Sequence, residues 1–232
     1  MKQLRENIQK VRQRIERAAL RSGRNGSDIL LVAVSKTADI AQVHEAYQLG
    51  IKHFGENRVQ ELKRKMEALP EAEWHMIGRL QTNKVKDIVG KVTLLHSLDR
   101  WKLAEKLNER AAVQGVTVPA LLQVNIAGEE KKAGVEMSDV EAFLSAVGEL
   151  SALRIYGLMT IAPLLEDAEA ARPIFRELYQ VKEKLARKSY KNVELKFLSM
   201  GMSQDFEVAI EEGANIVRIG SAIFDQKDSP MY

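Results

Sequence analysis

The chain has 232 residues, 45% of them hydrophobic, which is enough to bury a substantial core and close to the upper size of one domain. Its 35 basic and 32 acidic residues leave a net charge of only +3, too weak to indicate a nucleic-acid-binding protein, and the absence of cysteine excludes disulfides and thiolate metal sites. The first residues lack the apolar region of a signal peptide, and no stretch approaches the length of a membrane helix. We therefore expect a soluble cytoplasmic protein without membrane contact.

Residues 1–24 form a basic, amphipathic segment. It contains eight basic and two acidic side chains, a net charge of +6. A helix that touches a membrane surface or nucleic acid is one interpretation. We favour a helix that covers one side of the domain and keeps its basic face in solvent. The apolar residues at helical spacing are Leu4, Ile8, Val11, Ile15 and Ala19.

Beyond this helix, eight apolar, β-rich segments alternate with helical segments, with no linker between them. Strands that are apolar on both faces and separated by helices indicate a parallel sheet covered by helices. Eight units favour closure into a (β/α)8 TIM barrel over an open doubly wound sheet. The prediction is one α/β domain over residues 1–232, with an extra N-terminal helix. The predicted strands are residues 29–36, 52–57, 73–78, 92–98, 118–126, 153–161, 193–200 and 215–224.

Local signals mark the starts of several predicted helices. Asn57 with Gln60, and Ser138 with Glu141, have the spacing of capping pairs. Pro173 should interrupt the helical segment in which it lies, so that the longer helix lies on its carboxyl side.

A lysine ends the first predicted strand. If side chains alternate, Leu30, Val32, Val34 and Lys36 share one face of this strand. If that face points into the barrel, Lys36 lies at the rim of an apolar interior, where partial desolvation lowers a lysine pKa and frees the amine to form a Schiff base with an aldehyde or ketone. The alternative is an ordinary lysine that extends to solvent at a strand end.

Two small-residue turns near the end of the chain suit a phosphate group. Gly201 and Ser203 come just before an apparent helix, where free backbone N–H groups and a hydroxyl converge. Arg218, Gly220 and Ser221 follow at the end of the last strand, and barrels often bind phosphate with the loops after strands seven and eight. The alternatives are that Ser203 is only a helix N-cap and Gly220 only a turn residue.

These groups together describe a site for a phosphorylated aldehyde, of which pyridoxal 5'-phosphate is one. Its aldehyde would join Lys36, its phosphate would rest on Ser203, Gly220 and Ser221, and Arg218 would face the pyridine nitrogen. Arginine cannot accept a proton, so the cofactor would be a poorer electron sink than one paired with aspartate.

Other strand ends offer weaker candidates. Asn57 and His75 are predicted to hydrogen-bond the polar groups of the cofactor, with a helix cap and a satisfied core histidine as the alternatives. The charged loop 127–134 is either a mobile lid or a solvated loop. No metal site is expected, because metal-binding spacing is absent from the four histidines, which are His44, His53, His75 and His96.

Six motifs resemble those of the pyridoxal phosphate homeostasis protein family, which is related to the N-terminal barrel of alanine racemase. The resemblance runs over about residues 29–224, and one departure is Asp225, where glycine is expected. The motifs, in chain order, are AVSKT, FGENRVQE, WHMIGRLQTNK, LLQVNIAGEEKKAG, GLMTIAP and LSMGMSQDFEVAIEEGANIVRIGSAIF.

The resemblance implies a fold-type III barrel with Lys36 as the Schiff-base lysine. It supports Ser203 and the pair Gly220–Ser221 as phosphate contacts and Arg218 as the partner of the ring nitrogen. Asn57 and His75 also lie in family motifs. It further implies a protein that handles and supplies pyridoxal phosphate in vitamin B6 homeostasis, without an established reaction.

Two enzyme classes compete with a cofactor carrier. An amino-acid racemase of the alanine type uses a second base from an additional β-domain, for which a chain ending at residue 232 has no room. A Schiff-base aldolase needs an acid–base partner near Lys36 that the sequence does not single out. We therefore favour a monomeric protein that buffers pyridoxal phosphate or delivers it to recipient pyridoxal phosphate enzymes. Lys84, Lys131 and Lys132 are candidates for a second, weaker attachment point.

Overall fold

The computed structural model describes residues 2–126, 128 and 133–225, and its central feature is a closed parallel barrel. The strands lie in the order β4-β3-β2-β1-β9-β8-β7-β5, and β4 pairs with β5 to close the ring. The predicted (β/α)8 barrel is therefore confirmed. The strands are β1 (Leu30–Val34), β2 (His53–Glu56), β3 (Glu73–Met76), β4 (Leu94–Leu98), β5 (Val118–Asn125), β6 (Val135–Glu136), β7 (Leu153–Met159), β8 (Val193–Ser199) and β9 (Ile216–Ile219).

All eight predicted strands exist, and the structure adds the two-residue strand β6, which pairs only with β5. The eighth predicted strand is too long, because Ser221–Phe224 is a helical turn in which Ile223 and Phe224 donate to the carbonyl oxygen of Gly220. The helices are α1 (Lys2–Arg21), α2 (Ile40–Gln48), α3 (Val59–Ala68), α4 (Trp101–Gln114), α5 (Val140–Val147), α6 (Arg172–Ala186), α7 (Phe206–Glu211) and α8 (Ser221–Phe224).

Helix α1 packs against α7 and α8, as a helix that covers one side of the barrel should. The five apolar residues predicted to face the core are all buried. Part of the basic face is paired rather than free, since Arg14 and Arg21 form ion pairs of 2.7 and 2.6 Å with Glu207 and Glu211 on α7. Within the described residues, no helix has the length and apolar character needed to cross a membrane.

Two of the predicted helix caps are wrong. Arg58, not Asn57, is the N-cap residue of α3, and no side chain caps this helix. Asp139 precedes α5, and the Ser138 hydroxyl donates to its carboxylate instead of capping the helix. The prediction for Pro173 is correct, because this proline lies in the first turn of α6, where a missing N–H costs nothing.

Part of the barrel interior is apolar. Val32 on β1 and Ile216 on β9 belong to a separate buried cluster, whereas Ala33 belongs to the core outside the barrel. The predicted alternation of β1 is therefore correct, and it directs Val34 towards the carboxyl end of the barrel, where the site lies. The buried members of the interior cluster are Val32, Leu94, Leu121, Met159 and Ile216.

Candidate cofactor site

A pocket of about 330 Å³ opens at the carboxyl ends of the strands. Its volume is in the range of small-ligand sites, and this edge of a (β/α)8 barrel is where such sites form. Six of the seven residues predicted to bind cofactor line this pocket, and His75 does not. The six are Lys36, Asn57, Ser203, Arg218, Gly220 and Ser221.

Lys36 lies in a turn two residues beyond the end of β1, not on the strand itself. Its side chain is exposed, so the partial desolvation expected from the sequence is not found. The amine nevertheless borders the pocket together with Val34. The structure therefore supports the predicted position of Lys36 and corrects the predicted burial.

A buried ion pair supports the turn that carries Lys36. Lys65 on α3 donates to the carboxylate of Glu56 at 2.7 Å and to the carbonyl oxygen of Ser35 at 2.5 Å. The Ser35 hydroxyl also donates to Glu56, at 2.7 Å. All three side chains are essentially inaccessible, since Glu56 and Lys65 are each 1% exposed and Ser35 is 0% exposed. This cluster fixes the residue immediately before Lys36.

The two predicted phosphate turns are joined through one hydroxyl. Ser203 Oγ lies 3.3 Å from the backbone nitrogens of both Gly220 and Ala222, from which it accepts. Gly220 packs closely on β1, since a Cβ there would lie 3.0 Å from the carbonyl oxygen of Val34. The turns therefore bring backbone donors and a hydroxyl to one place, which suits an anion.

Ser203 is not the N-cap of the following helix. Helix α7 begins three residues later, after Asp205, and the Asp205 carboxylate accepts from the Met202 backbone N–H at 2.6 Å. Burial raises the pKa of Asp205, while the Met202 N–H and the charge of Arg218 oppose that rise. The N-cap interpretation of Ser203 is therefore wrong, and its hydroxyl serves the turn after β9.

Arg218 is a buried cation at the floor of the pocket. It is 4% exposed, and it donates to Ser199 Oγ at 2.6 Å and to the carbonyl oxygen of Thr160 at 2.9 Å. No carboxylate of the described residues lies within ion-pair distance of it, and burial lowers its pKa to about 10, against the opposing charge of Asp205. The N–H groups of Arg218 that are not used in these two bonds can donate to an acceptor in the pocket.

Three histidines continue the hydrogen bonds of Arg218 through the barrel. His96 Nδ1 lies 2.9 Å from Ser199 Oγ, His96 Nε2 lies 2.9 Å from His75 Nδ1, and His75 Nε2 lies 3.1 Å from His53 Nδ1. His75 therefore lies below the pocket and reaches Arg218 only through two other side chains. These rings contact each other in sequence, and among the described residues no His, Cys, Asp or Glu cluster could hold a metal ion.

The distances allow this hydrogen-bond chain to run outward from Arg218. Arg218 can only donate, so Ser199 accepts from it and can donate its own proton to His96. Each neutral histidine then donates from Nε2 to the next ring, ending at the half-buried His53. Burial, with a smaller contribution from His53, lowers the pKa of His75 to about 3, and burial lowers the pKa of His96 well below its usual value. The rings are therefore neutral at physiological pH.

The hydrogen-bonded histidines predict that the free energy of unfolding falls in acid. The pKa of His75 is about 3 when folded against 6.5 in its ordinary state, so the unfolded chain binds the additional proton. Neutral His75 makes its full contribution to stability above pH 6.5, and this contribution is lost as the pH falls towards 3. Lowering the pH from 7.5 to 5 should cost about 2 kcal/mol through His75 alone. Urea unfolding at both pH values should show a smaller loss in His75→Gln and an unchanged loss in His44→Gln. An equal loss in wild type and His75→Gln would contradict this assignment.

Asn57 lies on the wall of the pocket and is exposed. Its backbone packs on the loop after β3, where a Cβ at Gly78 would lie 2.2 Å from the Asn57 carbonyl oxygen. The structure therefore places Asn57 at the pocket, and its contact with a cofactor stays a prediction. The predicted lid segment 127–134 falls largely outside the described residues, as do Lys131 and Lys132, whereas Lys84 lies in a separate groove.

The fold and the pocket define an alanine-racemase-like barrel, and the family described as alanine racemase, N-terminal domain, matches residues 1–228. A pyridoxal phosphate homeostasis protein of Aquifex aeolicus is 47% identical over 224 residues, which cover 96% of this chain and 97% of that protein. The chain therefore belongs to the alanine racemase N-terminal domain family and, within it, to the pyridoxal phosphate homeostasis proteins.

Solved structures agree with this assignment. The structure of PipY from Synechococcus elongatus PCC7942 with PLP bound is 35% identical, with a TM-score of 0.83 over 96% of this chain and 100% of that chain. A protein from Bifidobacterium adolescentis described as unknown is 33% identical, with a TM-score of 0.91 over 96% of this chain and 95% of that chain.

Several functional contacts were not predicted from the sequence. Ser199 and Thr160 hold Arg218, and Lys65 with Glu56 holds the turn before Lys36. Alternation along β4 and β8 would have placed His96 and Ser199 inside the barrel. The Lys65 contact has no comparable signal, since it depends on how α3 packs.

Proposed function

We propose that this protein binds pyridoxal 5'-phosphate covalently at Lys36 and acts in intracellular cofactor homeostasis, by buffering or delivery. The observation that carries the proposal is the buried, unpaired guanidinium of Arg218 in the same pocket as the Lys36 amine. The pyridine nitrogen would give Arg218 a further acceptor beside Ser199 and Thr160, and the turns at Ser203 and Gly220 would supply donors for the phosphate.

The residues present fit this cofactor. When bound, pyridoxal phosphate supplies an electrophilic aldehyde and a ring that can withdraw electrons. Arg218 can only donate hydrogen bonds, and it does not transfer a proton to the ring nitrogen. It therefore favours the unprotonated pyridine ring, which withdraws electrons less strongly than a protonated ring does. Ser203, Gly220 and Ser221 would hold the phosphate, and Asn57 would hydrogen-bond a polar group of the ring. This combination favours holding the cofactor over using it for carbanion chemistry.

A second base of the racemase type is not found among the described residues of the pocket. Among the described lining residues, Lys36 is the only amine and Asp205 the only carboxylate, and none is tyrosine or histidine. A racemase-like pyridoxal phosphate enzyme is the alternative. We further propose that the protein is a cytoplasmic monomer and that recipient pyridoxal phosphate enzymes are its partners. We also propose that Lys84, Lys131 or Lys132 serves as a second, weaker attachment point for pyridoxal phosphate.

A transfer experiment tests delivery against catalysis. The loaded protein is mixed with an apo form of a pyridoxal phosphate enzyme, and the visible absorption of the donor and the activity of the recipient are followed together. We expect the donor band to fall as the recipient gains activity, with no steady racemisation of any proteinogenic amino acid. A steady racemisation that disappears in Lys36→Ala would establish the enzyme alternative.

A further inference from the structure

A second groove lies on the same face of the barrel, beside the cofactor pocket. It has a volume of about 680 Å³ and is built from the segments that follow β2, β3 and β4. The cofactor pocket is built mainly from the segments after β1, β7, β8 and β9, with Asn57 after β2 and Ile77 after β3 on its wall, and Asn57 borders both cavities. In this fold the carboxyl ends of the strands form the functional face. The second groove therefore adds a part of that face that the cofactor pocket does not line.

Four basic side chains converge on this groove, namely Arg58, Arg79, Lys84 and Arg100. The carboxylate of Asp99, 2% exposed, lies 3.0 Å from Arg79 Nε and also pairs with Arg100. Arg100 is further fixed by a 2.8 Å hydrogen bond to the carbonyl oxygen of Leu80. Two arginines are thus paired with one buried carboxylate, and four cations with one carboxylate give the groove a formal net charge of about +3.

The charge of Arg58 acts on Glu61 and, after the hydrogen bond from Arg64, helps to lower the pKa of that carboxyl. Neither Arg58 nor Lys84 forms an ion pair within the described part of the chain. The rest of the lining is mainly amide and hydroxyl side chains, which can bond to oxygen atoms. No aromatic side chain lines the groove, so it offers no stacking surface for a nucleobase.

We propose that this groove binds a small phosphorylated molecule through its phosphate group. Arg79 and Arg100 present guanidinium donors, which suit the geometry of phosphate oxygens. Arg58 and Lys84 add two further positive charges. The inference does not rest on the proposed function, because none of these four cations lines the cofactor pocket.

Calorimetric titration with inorganic phosphate tests the proposal. The full-length protein is first treated with pyridoxal phosphate and borohydride. Its absorbance then shows whether the cofactor has been attached, so that a failure to attach cofactor is seen separately from a failure to bind phosphate. We expect saturable binding that weakens with added salt, and about tenfold or more weaker binding in the double variant Arg58→Ala/Lys84→Ala.

The matched control is Lys86→Ala, an exposed lysine two residues from Lys84 that does not line the groove, and it should bind phosphate as the wild type does. Circular dichroism establishes that each variant is folded. If phosphate does not bind the wild type saturably, the proposal is overturned. Binding of an acidic protein to this surface would not rescue it. Equal binding by the wild type and the double variant would also overturn it.

Discussion

Lys65→Met is expected to lower the free energy of unfolding by about 3–5 kcal/mol, because it leaves the buried carboxylate of Glu56 without its cation. Lys65 and Glu56 are each 1% exposed, and their charged atoms are 2.7 Å apart. The backbone oxygen of Ser35 loses a donor in the same variant. Urea unfolding of the unloaded protein at pH 7.5 measures the change directly.

Two controls test whether the loss of stability comes from the buried ion pair and not from removing a lysine of α3 in general. Lys63→Met breaks an exposed pair with Asp87, whose atoms are 3.3 Å apart, and should cost no more than about 1 kcal/mol. Lys65→Met combined with Glu56→Gln removes the buried charge and should recover part of the lost stability. A loss below about 1 kcal/mol in Lys65→Met alone would mean that the ion pair does not support the turn before Lys36.

Arg218→Met is expected to weaken the binding of pyridoxal phosphate by about 10- to 100-fold, the value of a hydrogen bond from a charged group. The stability of the unloaded protein should change much less. Removing a buried, unpaired cation relieves a desolvation cost, which offsets the donors lost by Ser199 and Thr160. Spectroscopic titration with pyridoxal phosphate measures the dissociation constant.

Arg64→Met is the matched control, since Arg64 is exposed on α3 and pairs with Glu61 at a distance of 2.7 Å. It should bind the cofactor as the wild type does. A dissociation constant unchanged by Arg218→Met would show that the guanidinium has no partner on the cofactor.

Much of the barrel could be predicted from the sequence because its signals are local and repeated. Period-two alternation on β1 correctly directed Leu30 and Val32 inward. The last strand was extended too far because Ser221–Phe224 is apolar enough to continue a strand, yet its N–H groups turn back to Gly220. The burial of Lys36 was wrong for a related reason, since the strand ends at Val34 and the lysine belongs to an open turn.

The site was predicted less completely, because its contacts depend on register and packing. His75 is on a correctly predicted strand, but the pairing of Gly55 with His75, and of His75 with Leu94, sets its ring between His53 and His96 below the pocket. No spacing rule gives that position, since the partners come from three strands. The residues at strand ends were easier to predict, because all parallel strands of a closed barrel present those ends to one face.

Reduction with borohydride followed by peptide mass analysis tests the central claim most directly. Purified protein is incubated with one equivalent of pyridoxal phosphate, reduced and digested, and the modified peptide is sequenced. The account predicts a single modified residue, Lys36, and no modification at this stoichiometry in Lys36→Ala, with circular dichroism showing that the variant is folded. A wild-type protein that stays colourless and unmodified, or one modified at another lysine while Lys36 remains free, would contradict it.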